Sequence, residues 1–160
     1  MSLSIIILAA GKGARMTSNL PKVLQPLAKK PLLSYVINTA KLLNPNEIIV
    51  VVGHQSELIK ETFKTEDVIW KIQDQQLGTG HAVLQAVPSL KSEKTIILYG
   101  DVPLVEQSDL LKLVEQSGNS LAVMTYIKDV PNGYGRIQRE NAEVVSIIED
   151  KDCNDDQRKI

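Results

Sequence analysis

The run Ser4-Ile5-Ile6-Ile7-Leu8 carries no charge and no polar break after Ser4, and it empties directly into Leu8-Ala9-Ala10-Gly11-Lys12-Gly13-Ala14-Arg15-Met16. A half-buried strand alternates apolar and polar residues. A continuous apolar run fits a strand covered on both faces, as in the middle of a parallel sheet. The loop that follows is poor in bulk and rich in Gly, Lys and Arg. Small residues let backbone N–H groups close on phosphate oxygens, and the cations neutralise them. A strand that opens into such a loop places an anion at its carboxyl end.

The remaining punctuation supports an alternation of strands and helices. Glu47–Val52, Val68–Ile72 and Lys94–Tyr99 read as strands. Residues 31–40, led by Pro31, read as a helix, as do Ser56–Phe63 with Ser56 as N-cap, Thr79–Val87 stopped by Pro88, and Gln107–Gln116 stopped by Gly118. Leu121–Ile127, Gly135–Arg139 and Val144–Glu149 are expected as later strands. The fold class implied is α/β: a Rossmann-like, mostly parallel sheet with helices on both faces. In such sheets ligands bind beyond the carboxyl ends of the strands, where Gly11, Gln73, Gly78 and Asp101 all fall. The tail from Asp150 is polar and charged.

Charge separates along the chain. Residues 1–46 hold six of the 18 Lys and Arg and none of the 19 Asp and Glu. A cationic N-terminal segment around a Gly-rich loop favours a small, highly anionic ligand. The net charge of −1 argues against nucleic acid or a membrane surface as the main partner. Cys153 is the single cysteine, so no intramolecular disulfide forms. There is no charged leader before the first apolar run and no stretch of membrane-spanning length, so a cytoplasmic location is expected.

Two nucleotide motifs fail. The dinucleotide pattern lacks its third Gly, which is Met16 here, and no acidic residue follows the second strand at Val52-Gly53-His54. No Gly-Lys-Ser or Gly-Lys-Thr exists for a P-loop. Four constellations remain. The first is the Gly11–Met16 loop with Lys22. The second is Gln73-Asp74-Gln75-Gln76-Leu77-Gly78-Thr79-Gly80-His81-Ala82. There Gly78 and Gly80 free the backbone, Thr79 is placed to cap the next helix, and the Gln73 carboxamide offers a donor beside an acceptor, which suits a base edge. The third is Tyr99-Gly100-Asp101-Val102-Pro103-Leu104, where the Asp101 carboxylate at a strand end is an oxygen ligand for Mg²⁺. The fourth is Gly135, whose backbone permits approach to a sugar ring, with Glu149 as an acceptor for a sugar hydroxyl. Taken singly, the second, third and fourth are better explained as turns and strand ends; His54 and His81 read as a loop and a first-turn residue with no catalytic role.

Together these motifs resemble the sugar-1-phosphate nucleotidyltransferases. The segments Leu20-Pro21-Lys22-Val23-Leu24, Gly133-Tyr134-Gly135-Arg136-Ile137 and Ile148-Glu149-Asp150-Lys151-Asp152 add to the match. Gly-Thr-Gly-His-Ala with Tyr-Gly-Asp-Val-Pro-Leu narrows it to the bacterial N-acetylglucosamine-1-phosphate uridyltransferases. The resemblance implies a nucleotide-diphospho-sugar transferase fold over residues 1–160. It implies UTP and N-acetylglucosamine 1-phosphate as substrates, UDP-N-acetylglucosamine and pyrophosphate as products, and Mg²⁺ as cofactor. By it, Leu8, Ala9, Ala10 and Gly11 line the nucleotide, and Gln73 and Gly78 read the base. Arg15 and Lys22 contact phosphates, with Arg15 most tied to catalysis. Asp101 holds the metal, and Thr79, Tyr99, Gly100, Gly135 and Glu149 complete the nucleotide and sugar contacts. The family pattern continues with an Asn-Thr-Gly segment, a second metal-binding Asn and a β-helix domain with acetyltransferase activity and trimer contacts. These lie outside the 160 residues, so the expectation is a C-terminally incomplete nucleotidyltransferase domain. Two rival readings stay open: a relative using another sugar phosphate or base, such as thymine, and a non-catalytic module that binds UDP-sugars.

Overall fold

A computed structural model describes residues 2–11, 13, 18–141 and 143–160. Strand β1 (Leu3–Ala9) is buried along its whole length, as is β4 (Glu47–Val52). With β5 (Ile69–Ile72) and β6 (Lys94–Tyr99) they form a four-stranded sheet in the order β5-β4-β1-β6, with every pairing parallel. The register sets Leu8 opposite Val51 on one side and Tyr99 on the other, so the strands end together at one edge. Two short segments, β2 (Pro26–Leu27) and β3 (Lys30–Pro31), make a small antiparallel ladder before the first helix.

Both faces of the sheet are covered by helices, which is why β1 and β4 have no polar face. On one face Ile5, Ile7, Val50 and Val52 pack with Leu33, Val36, Ile37 and Ala40 of α1 (Leu32–Leu42), Ile59 of α2 (Ser56–Thr62) and Leu110 of α4 (Gln107–Ser117). On the other face Ile6, Leu8, Ile49 and Val51 meet Ala82 and Ala86 of α3 (Thr79–Ala86). The small residues of α3 let that helix lie close to the sheet. At the opposite edge from the β1 loop, Ser4 donates to the buried Glu47 carboxylate, and the Lys91 amide donates to the same oxygen.

The sheet, the two-faced helix covering and the expected strands up to Tyr99 agree with the sequence reading to within one or two residues. Three local expectations are corrected. Ser56 and Thr79 do not cap their helices. Each is the first helical residue, and the flanking positions belong to Gln55 at φ +59° and Gly78 at φ +101°. A cap needs the half-in residue just before the helix, and here positive-φ backbone turns occupy that place. Leu121–Ile127 is not a strand: it pairs with no described backbone, and Leu121 and Ile127 are 91% and 100% exposed. Apolar composition proposes a strand, but only a ladder partner makes one.

Residues 123–160 form a separate compact unit. Its strands β7 (Arg136–Glu140) and β8 (Glu143–Ile148) make an antiparallel hairpin rather than an extension of the parallel sheet. Within this unit Arg136 is buried. It donates to the carbonyls of Pro131 and Tyr134 and pairs with Asp150 at 3.2 Å, while Asp150 also accepts the Gly133 amide at 3.0 Å. Tyr126 meets Tyr134 edge-on with centroids 6.0 Å apart, and the Lys128 ammonium lies 3.9 Å from the Tyr134 ring centre.

Ile7 is fully buried at the centre of the sheet. Ile7→Ala is expected to destabilise the chain by about 2–5 kcal/mol, by lost burial and a residual cavity. Leu121→Ala should shift stability by less than about 0.5 kcal/mol. Urea denaturation followed by circular dichroism measures both.

Candidate nucleotide-binding site

The four strands end at the edge where the β1 loop leaves the sheet, and a cleft of about 280 Å³ opens there. Its floor is the end of β1 with Ala10 and Gly11. Its walls are Lys22 and Val23 from a short 3₁₀ turn, Gln73, Gln76, Gly78, Thr79 and Ala82 around the start of α3, and Tyr99 and Asp101 at the end of β6. The parallel register creates this site: strands that end level leave their following loops side by side.

Of the residues singled out from sequence, Leu8, Ala9, Ala10, Gly11, Lys22, Gln73, Gly78, Thr79, Tyr99 and Asp101 therefore line one cavity. Gly100 does not face it. That glycine is buried, donates its amide to Leu8 O at 2.9 Å, and sits tightly: a Cβ there would lie 3.2 Å from Leu33 Cδ1 and Leu8 O and 3.3 Å from Val23 Cγ1. Its part is to let β6 close against β1. Arg15, with Lys12, lies outside the described residues. Gly135 and Glu149 belong to the 123–160 unit. There Gly135 packs against Ile147 and Ile148, and Glu149 is exposed at the end of β8.

Lys22 and Asp101 form an ion pair, Nζ to Oδ2, across the cleft. Both side chains are partly exposed, so the pair is solvent-screened and contributes little to folding. Its consequence is local: a cation and a carboxylate are held together in the cleft that Gln73 also lines. Among the described residues Asp101 Oδ1 has no partner, and no group of three His, Cys, Asp or Glu gathers anywhere. One free carboxylate oxygen in a cleft that also holds a cation fits a hard divalent ion such as Mg²⁺, which commonly takes one or two protein carboxylates and completes its shell with other oxygen ligands.

Gln73 is almost fully buried, and its geometry narrows what the sequence offered. Its Nε2 donates to Gly78 O at 3.0 Å and lies 3.0 Å from His81 Nδ1. The donor half of the carboxamide is thus used internally. Only Oε1 is left for a ligand, so the expected donor-and-acceptor pair is corrected to an acceptor alone.

Gln76 was not distinguished by sequence as a site residue, yet it braces the cleft floor. Its Nε2 donates to Ala10 O, joining the β5–α3 loop to the β1 loop. Gly53 makes that approach possible: a Cβ there would lie 2.9 Å from Ala10 O and 3.2 Å from Gln76 Nε2. Nothing local marks this contact, because its partners are far apart in the chain.

The first strand of this parallel sheet ends at Gly11 beside a cation and a carboxylate, and the class to which the chain belongs is that of nucleoside-triphosphate transferase domains. The chain belongs to the MobA-like NTP transferase domain family, whose model matches residues 5–138. It is 50% identical over 161 residues to the bifunctional protein GlmU of Francisella philomiragia, an alignment covering all of this chain and 36% of that protein. GlmU of Herminiimonas arsenicoxydans is 49% identical over 160 residues, 99% of this chain and 35% of the relative. The chain thus spans about a third of the length of these relatives and matches their N-terminal part.

Solved structures share the fold. A putative glucose-1-phosphate thymidylyltransferase from Bacillus anthracis superposes with a TM-score of 0.71 at 17% identity, over 93% of this chain and 65% of that one. A UDP-glucose pyrophosphorylase does so with a TM-score of 0.69 at 20% identity, over 94% and 69%. No helix among the described residues is long and apolar enough to cross a membrane.

Gly53→Ala should press on Ala10 and Gln76 and break their hydrogen bond, destabilising the chain by about 1–3 kcal/mol. Thermal melts of the variant beside Gly80→Ala, where a Cβ meets open space, measure the difference.

Proposed function

We propose that this chain binds UTP and transfers its uridylyl group to N-acetylglucosamine 1-phosphate, releasing pyrophosphate and giving UDP-N-acetylglucosamine for cell-envelope polysaccharide synthesis in the cytoplasm. The observation that carries the reading is the pairing of Lys22 with Asp101 beside the β1 loop, in the same cleft as Gln73. The near-50% identity to GlmU proteins supports the substrate pair.

In this reading a phosphate oxygen of the sugar phosphate attacks the α-phosphorus of UTP in line. The bond to the β-phosphate oxygen breaks, and pyrophosphate departs. No covalent intermediate on the protein is needed, so catalysis consists of positioning and charge neutralisation. The backbone of Leu8 to Gly11 lies along the nucleotide. Gln73 Oε1 accepts the imide N3–H of uracil, and Gly78 and Thr79 flank the base. Lys22 and Arg15 neutralise the phosphates, Arg15 acting on the charge that develops at the α-phosphate. Asp101 would hold Mg²⁺, whose chemistry when bound is to polarise phosphate oxygens as a Lewis acid. Tyr99 flanks the metal side of the cleft. Gly135 and Glu149 contribute to sugar binding.

A second reading rests on the same acceptor. Thymine presents the same N3–H as uracil, so Gln73 Oε1 serves a thymidylyl donor equally well. Competition between UTP and dTTP separates the two.

The direct test is pyrophosphate release from UTP, N-acetylglucosamine 1-phosphate and Mg²⁺ by the 160-residue chain. Release supports the reading; UTP binding without release identifies a non-catalytic binding module. Arg15→Ala is expected to lower turnover by about 10²–10³-fold with UTP affinity changed far less, as for loss of one transition-state donor. An equal loss in UTP affinity would reduce Arg15 to a general anion contact.

A further inference from the structure

Gln73 and His81 form a contact that the proposed chemistry does not use. His81 lies in the first turn of α3, half-buried, with its Nδ1 3.0 Å from Gln73 Nε2. Gly78 O, 3.0 Å from the same nitrogen, accepts also from the Ala82 amide at 3.1 Å. A carbonyl oxygen has no proton to give, so the carboxamide face turned towards Gly78 is its NH₂. That assignment fixes the imidazole. Facing an NH₂ at 3.0 Å, Nδ1 must accept and the ring proton resides on Nε2; the Gln85 NH₂, which donates to His81 O at 3.2 Å, lies farther off at 3.3 Å from Nε2 and makes no hydrogen bond with the ring. Both protons of Gln73 Nε2 are then consumed, one by Gly78 O and one by His81 Nδ1.

A carboxamide has two nearly isosteric orientations, and they present opposite chemistry to a base. In the orientation held here, Oε1 remains without a partner among the described residues, in a residue that lines the cleft. Flipped, Gln73 would offer a donor. Uracil and thymine carry a donor at N3; cytosine carries an acceptor there. The orientation of one buried amide therefore decides which pyrimidine the cleft accepts, and a wrongly matched pair costs the desolvation of two buried polar groups.

We infer that His81 is a specificity-determining positioning residue: its Nδ1 lone pair locks the Gln73 carboxamide with the acceptor towards the ligand, selecting bases that present an imide N–H and rejecting cytosine. This rests on the proposed binding of a pyrimidine nucleotide at the cleft. His81 acts through Gln73 and itself needs no contact with substrate. Gly78 O alone binds one of the two amide protons; the imidazole supplies the second hold that makes the flip unfavourable.

The test compares Kd for UTP and CTP, by calorimetry in the presence of Mg²⁺, for the unmodified chain, His81→Leu and His81→Asn. Asn retains an acceptor oxygen at the position of Nδ1, and Leu keeps bulk without one. The unmodified chain is expected to prefer UTP by tenfold or more. His81→Leu should lose about tenfold of that preference, the size expected for one hydrogen bond. His81→Asn should restore most of it. The Gln73 side-chain amide protons, assigned by ¹⁵N NMR, should exchange slowly with solvent in the unmodified chain and in His81→Asn, and faster in His81→Leu. If His81→Leu keeps the full preference for UTP, or if Asn and Leu behave alike, the positioning role is overturned while the uridine reading stands. If the unmodified chain binds CTP as well as UTP, the uridine reading falls, and this inference with it.

Discussion

Burial of β1 on all sides is the constraint from which the rest follows. Its residues Ile5, Ile6 and Ile7 are inaccessible to solvent, with β4 and β6 on its flanks and helices above and below. A strand so enclosed cannot slip in register, because a shift of one residue would exchange the side chains packed against α1 with those packed against α3. Ala10 and Gly11, which follow it, are consequently delivered to a fixed place at the sheet edge. Gly53, Gln76 and Gly100 brace that place from neighbouring loops, two by allowing close approach and one by a hydrogen bond to Ala10.

The chemistry of the cleft is a matter of few groups held in defined states. Lys22 comes from a turn before the first helix and Asp101 from the end of β6, and they neutralise one another until an anion enters. In the proposed function, a phosphate chain approaching Lys22 would compete with the carboxylate and leave it available to a divalent ion. The base end works by hydrogen bonding rather than charge. The Gln73 amide is held by the first turn of α3, so in the proposed function the acceptor would be prepared before a base arrived, and little ordering cost would remain for binding.

Much of this was legible in the chain. Residues 3–9 and 47–52 are recognisable as buried strands because both of their faces are covered, which removes polar positions altogether. The loops at Gly11, Gly78 and Asp101 stand out because each follows or flanks an element end, and parallel strands bring such ends together. The reading failed where a local pattern needed a distant partner. Leu121–Ile127 has strand-like composition and no ladder. Ser56 and Thr79 are good capping residues displaced by one position, because turns at positive φ precede them. Gly100 looks like a site glycine in its motif and is instead a packing glycine beneath the site.

What the sequence determined by itself is the class of scaffold and which loops gather at one edge of its sheet. Those depend on periodicity, on small residues after a strand and on a cationic N-terminal segment, all of which are properties of neighbours along the chain. What only the tertiary structure decided is the state of each group at that edge: Lys22 paired with Asp101, Gln76 tied to Ala10, and Gln73 turned so that an acceptor alone remains. Those states are set by hydrogen bonds and ion pairs whose energy depends on distance in space, and no spacing along the chain encodes which way a buried amide faces.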